Sequence, residues 1–187
     1  MTGEPPAPPL RRSRLFVACD LPEEAERAVA AWQRRELAQH RDLRVSEALH
    51  VTLVFLGDVD AARIPDVERS LGGIVWPAAS CRFSAPLFLP AHGRRRVVAL
   101  ALDDEAGILR DLQGRVAAGL AAAGLHEPER RAWLPHVTVA RFRRPGQPFS
   151  LQNVTIGEFG VVRMVLYSSA LKPTGAVHTP IAVYPAS

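Results

Sequence analysis

The chain holds a single lysine, Lys172, among 23 basic residues, only two cysteines, and no apolar run near the roughly 20 residues that a membrane-spanning helix needs. Two cysteines build no disulfide framework, and Cys19 falls in an apolar run where a free buried thiol is expected; both suit a reducing cytoplasm. No His-x-x-x-His or Cys-x-x-Cys spacing occurs, which removes the common metal-ligand frameworks. The near-exclusive use of arginine is uniform along the chain and carries no functional weight by itself. A formal charge of +4 is a mild basic excess that fits a polyanionic ligand without requiring one. Arg11 and Arg12 precede Leu15 and Phe16 much as in a twin-arginine export signal. The apolar stretch stops at Asp20 and no small-residue cleavage site follows, so no targeting segment is read.

What is present is enough for one substantial core, or two small lobes sharing one, at 187 residues and 48% hydrophobic. Residues 1–13 include Pro5, Pro6, Pro8 and Pro9 without apolar periodicity and are expected to be a disordered extension, leaving 14–187 as a single domain. A strand is predicted over 15–19. A helix then opens at Pro22 with Ala25, Val29 and Trp32 on its buried face, and a second at Pro65 with Val67 and Leu71, stopped by Gly72 and Gly73. Strands follow over 81–89, where Pro86 implies an edge or a bulge, and 97–102. The longest helix is predicted over 105–123 with Ile108, Leu112, Val116 and Leu120 inward, then a polar loop over 124–133. Arg143, Arg144, Pro145 and Gly146 read as a basic turn, and strands over 159–171 and 177–184 flank a hairpin turn at 172–175.

Two copies of one pattern organise this order. Leu49-His50-Val51-Thr52-Leu53-Val54-Phe55-Leu56-Gly57 and Leu134-Pro135-His136-Val137-Thr138-Val139-Ala140-Arg141-Phe142 are both rich in β-branched and aromatic residues and read as strands, the second histidine lying 86 positions after the first. Alternation sets His50 and Thr52 on one face and Val51, Leu53 and Phe55 on the other; in the second copy His136 and Thr138 oppose Val137 and Val139. One such strand would be an ordinary half-exposed strand. Two equivalent copies point to an α+β fold of two pseudo-symmetric lobes, with antiparallel sheets lining a central cleft and helices outside. Two imidazoles across a cleft can serve as an acid and base pair near neutral pH, and the sequence assigns neither role to either.

With these motifs the chain resembles the two-histidine (2H) phosphoesterase superfamily, and within it the RNA 2′,3′-cyclic phosphodiesterase family, also described as 2′-5′ RNA ligase. The resemblance extends to Arg14-Leu15-Phe16-Val17-Ala18-Cys19-Asp20-Leu21-Pro22 and to Val165-Leu166-Tyr167-Ser168-Ser169-Ala170-Leu171, and so covers roughly residues 14–185. It implies hydrolysis of RNA 2′,3′-cyclic phosphate ends to 2′-phosphomonoesters, with reverse 2′-5′ ligation as a further capacity, by a cytoplasmic monomer using no metal or cofactor. His50 would be the proton donor, His136 the proton acceptor, Thr52 and Thr138 hydrogen-bond donors to the phosphate, and Arg141 a substrate contact.

Alternatives remain at this point. The motifs equally fit another cyclic or 2′-5′ linked nucleotide, and a non-catalytic RNA-binding protein could use the same basic cleft, although arginines would serve phosphate binding better than histidines. Arg141 lies five residues after His136, so a regular strand points it out of the cleft and only a bulge would return it. His40, His92, His126 and His178 lack the motif and read as surface or loop histidines; His178 falls where the resembled family commonly has tyrosine. The basic turns at 94–96 and 143–144 read as solvated.

Overall fold

Nine strands carry the alternation of apolar and polar residues, and the computed structural model, which describes residues 12–129, 131–172 and 175–187, sets eight of them along one antiparallel path. In chain order the described elements are β1 (Arg12–Asp20), α1 (Glu23–Glu36), β2 (Leu43–Val45), β3 (His50–Asp60), a 3₁₀ turn (Ala61–Arg63), α2 (Ile64–Gly72), β4 (Ala79–Leu89), β5 (Arg95–Asp103), α3 (Ile108–Ala122), β6 (His136–Gly146), β7 (Phe159–Val161), β8 (Arg163–Lys172) and β9 (Gly175–Pro185). The spatial order is β7-β4-β5-β6-β3-β1-β8-β9, with β2 added to β6. Strands β3 and β6 meet through one residue pair, Val51 with Val137, and splay apart from it. That seam divides the path into two lobes, each presenting one motif strand to the cleft, which is the α+β architecture expected from the sequence.

One face of this sheet is apolar because every second residue is. Leu15, Val17 and Cys19 of β1, Val51 and Leu53 of β3, Leu100 of β5 and Val137 and Val139 of β6 are buried with Val29 and Trp32 of α1, Val67 and Leu71 of α2 and Leu112, Val116 and Leu120 of α3. Each such side chain contributes about 1.5–3 kcal/mol on burial, so the sheet cannot turn its faces over. The other face is left to the cleft.

Four boundaries differ from the sequence reading, each for a local reason. Helix α3 starts at Ile108, not 105, because Gly107 turns into the left-handed region at φ 70° and the Asp104 carboxylate accepts from the N–H groups of Leu109 and Arg110 at 3.2 and 2.9 Å. The segment 159–171 is two strands, since β7 pairs with β4 of one lobe while β8 pairs with β1 of the other. Strand β6 runs on to Gly146, which pairs with Arg95, so 143–146 is strand and no turn. Strand β2, unread in the sequence, is three residues long. Pro86 does sit at a break in the β4 register, as a strand proline requires.

Of the extension expected over 1–13, residues 1–11 lie outside the described residues, while Arg12 and Ser13 pair with Asp60 and Val59 in the β1–β3 ladder. A chain beginning at Arg12 is therefore expected to melt and turn over like the full chain, whereas removal of Arg12 and Ser13 as well takes two ladder pairs with it. Thermal unfolding of the two truncations checks this; a large loss with the shorter deletion would show that the proline-rich segment packs on the lobes.

Candidate active site

The site is built by two matching irregularities in the strands. In β6, Thr138 pairs with Ala99 and Ala140 with Val98, so Val139 is one residue too many for its partner strand. In β3, Thr52 pairs with Ala18 and Val54 with Val17, leaving Leu53 extra at the same place in the motif. Each is a β-bulge, which puts two successive residues against one partner and inverts the alternation beyond it. Leu53 with Val54, and Val139 with Ala140, are accordingly all buried.

Inversion of phase brings Arg141 back to the face of His136 and Thr138, the outcome a regular strand excludes. It also overturns the placement of Phe55 with Val51 and Leu53: the ring turns to the cleft side, 57% exposed, as the counterpart of Arg141 in the other lobe. The bulged carbonyl of Val139, drawn out of the ladder, accepts from the side-chain Nε2 of Gln33 and from the N–H of Ser46, both at 2.9 Å. Gln33, only 6% exposed, also donates to the Ser46 carbonyl at 2.9 Å, and so ties α1 to the bulge.

The antiparallel sense at the seam sets His50 toward Thr138 and His136 toward Thr52, so all four motif side chains share the cleft face. His50 rests on the ring of Phe16 at 5.1 Å between centroids, with Tyr167 at 6.3 Å. His178 is no surface histidine: from β9 its ring meets that of His50 edge to face at 5.4 Å and that of Phe16 at 4.8 Å, and its Nδ1 is buried without a partner among the described residues. A bare buried nitrogen is tolerable as a lone pair, which leaves the proton on Nε2. The pairing of β8 with β9 sets His178 opposite Ser169, two residues from Tyr167, a register that the sequence alone does not show.

Burial and neighbouring charge act on His50. The pKa of His50 is lowered from 6.5 to about 4, first by burial and then by the neighbouring charges of His178, Arg141 and His136. Burial, followed by Arg141, lowers His178 as well. His136 places Nδ1 at 2.7 Å from the carbonyl oxygen of Leu134; a carbonyl only accepts, so Nδ1 carries the proton and Nε2 is free toward the cleft. Beyond His50, a cavity of about 660 Å³ is lined by Asp20, Glu23, Glu26, Glu47, Arg163 and Tyr167, among others. Asp20 accepts from Tyr167 at 2.7 Å and from Arg163 at 2.8 Å, while burial and the charge of Asp20 raise the pKa of Glu26. Among the described residues no three His, Cys, Asp or Glu side chains converge as a metal site, and no helix is long and apolar enough to cross a membrane.

Comparisons with known proteins show what the chain is similar to. A model of the 2′-5′ RNA ligase superfamily matches residues 21–170. An RNA 2′,3′-cyclic phosphodiesterase of Geobacillus stearothermophilus is 29% identical, over 94% of this chain and 58% of that protein, so the chain spans little more than half of that relative's length. One from Methanothermobacter thermautotrophicus is 30% identical over 91% of this chain and 97% of that protein. In fold, the chain superposes on the apo crystal structure of E. coli LigT with a TM-score of 0.81 at 23% identity, covering 94% of this chain and 98% of that one.

Proposed function

The chain belongs to the 2′-5′ RNA ligase superfamily, and from that premise we propose that it hydrolyses RNA 2′,3′-cyclic phosphate ends to 2′-phosphomonoesters by histidine acid and base catalysis, as a cytoplasmic monomer without a metal. The observation that carries this reading is the pair of bulged His-x-Thr strands abutting at Val51 and Val137. Buried thiols at Cys19 and Cys81, both free, suit the compartment.

In the reaction so assigned, Nε2 of His136 takes a proton from water as its oxygen bonds to phosphorus. The P–O3′ bond breaks on the opposite side, and His50 gives O3′ its proton. Thr52 and Thr138 donate to the non-bridging oxygens, and the Arg141 guanidinium balances the charge that grows there. A 5′-hydroxyl of another RNA end in the water's place would leave a 2′-5′ linkage. Hydrolysis of a nucleoside 2′,3′-cyclic phosphate in excess chelator, with the product identified as the 2′- or 3′-phosphate, tests the reading. No turnover, or turnover restored only by a divalent ion, would sink it.

The direction of the His50 shift gives the reading a pH signature. With its pKa at about 4, His50 is neutral in the resting enzyme at pH 7 and must be recharged by the anionic substrate, which favours the imidazolium. The profile of kcat/KM reports the free enzyme and should be a bell whose acid limb lies near 4, well below the ordinary histidine value of 6.5. The limb belongs to the coupled pair. Since the charge of His178 depresses His50, His178→Phe is expected to move the limb upward. An acid limb between 6 and 7, unmoved in the variant, would contradict this account of burial and charge.

A further inference from the structure

Beyond the motif, the cleft face of β6 leads outward through arginines. Arg44 of β2 pairs directly with Arg141 of β6. Directly opposed residues of an antiparallel pair share a face, and like charges so placed repel. Their flanking partners Leu43 and Phe142 turn to the other side, where Leu43 is buried in the core. The register of β6 with β5 breaks between Arg141 and Gly146, but its pairing with β2 continues through Leu43 and Phe142 to the Arg143 N–H on the Asp42 carbonyl, so Arg143, two residues after Arg141, projects on the same face about 7 Å further along.

Among the described residues none of Arg44, Arg141 and Arg143 has a carboxylate within 4.0 Å. Asp42, across from Arg143, is joined to it only by the backbone bond from the Arg143 N–H to the Asp42 carbonyl at 2.8 Å. The charge of Arg44 is felt at Arg141, whose pKa is lowered by burial first and by Arg44 second. Three guanidiniums in a row, two of them opposed and all without an acid, are set for anions, which guanidinium groups grip bidentately. The cavity on the far side of His50 is acidic on balance, with Asp20, Glu23, Glu26 and Glu47 against Arg163, which is paired to Asp20, and so disfavours a polyanion.

Resting on the proposed activity, we propose that Arg44 and Arg143 extend the site into a track for the phosphodiester upstream of the cyclic end, so that the enzyme prefers RNA chains to mononucleoside cyclic phosphates. The spacing of about two strand residues between Arg141 and Arg143 is of the order of the phosphate repeat in an extended nucleic-acid strand. The chain end lies at the histidines, and its backbone leaves by the β2–β6 edge.

The test compares kcat/KM for a trinucleotide ending in a 2′,3′-cyclic phosphate with that for the matching nucleoside 2′,3′-cyclic phosphate, over a range of salt. The full chain should favour the trinucleotide by roughly 10-fold or more at low salt, about the worth of two charge-assisted contacts at the surface. Its log–log salt dependence should be steeper by about 0.7 for each additional phosphate held. In the double variant Arg44→Gln with Arg143→Gln, the preference should fall toward one and the two salt slopes should converge. Equal efficiency on both substrates in the unaltered chain overturns the inference alone, and so does a preference that survives in the double variant. Failure of the unaltered chain to hydrolyse either substrate overturns the underlying activity and the track with it.

Discussion

Replacing either His50 or His136 with alanine is expected to lower kcat by roughly 10²- to 10⁴-fold, the usual worth of a positioned acid or base, with little change in the binding of a 2′-phosphorylated RNA end. The two losses should be far from additive, because proton removal on one side of phosphorus and proton delivery on the other belong to one displacement. The variants differ in what else they disturb. His50 packs against Phe16 at 5.1 Å and His178 at 5.4 Å, so alanine there opens a void, and His50→Gln serves as the fuller control. His136 is held by the Leu134 carbonyl at 2.7 Å and its loss costs the fold less. Single-turnover rates with melting curves for all three variants separate chemistry from stability. Near-full turnover in any of them would end the case for histidine acid and base chemistry.

The hydroxyls come next. Thr52→Val and Thr138→Val keep the branched shape that a strand accommodates, and each removes one donor aimed at the developing phosphorane charge; losses on the order of 10- to 1000-fold in kcat are expected, with KM much less affected. The backbone of Thr52 already has a second duty, since its carbonyl accepts from the indole N–H of Trp133 at 3.0 Å, and the valine leaves that bond in place. A loss confined to KM would make the threonines ground-state binders. Two silent variants would make them packing groups.

The motif strands were legible because their chemistry and their alternation coincide: β3 and β6 begin at His50 and His136, the histidines of the two copies. The helical stripes were legible for the same reason, down to Val67 and Leu71 in α2. What alternation could not supply was its own interruption. A bulge adds one residue and leaves no compositional mark beyond two adjacent apolar residues after each threonine, so Arg141 read as pointing away and Phe55 as buried. His178 was obscured differently, because its position depends on how β9 registers against β8 and on β8 pairing with β1, which no local pattern encodes. The change of lobe between β7 and β8 at Val162 was hidden too, since apolar residues run on from Phe159 to Leu166 with only Gly160 and Arg163 among them.

The bulge after Thr138 makes segment length itself a carrier of information, in the way a reading frame is. Delete Val139 and the stretch that follows it on β6 changes sides: Arg141 and Arg143 would be driven toward the layer that holds Leu43 and α1, and Phe142 would be thrust into the cleft. No substitution in the strand has so broad an effect, because a substitution alters one side chain and a deletion re-addresses them all. Gln33 acts as the proofreader of that frame, since its amide finds the Val139 carbonyl only when the extra residue is present. Drift in this strand is therefore free to change letters at exposed positions and is not free to change their count.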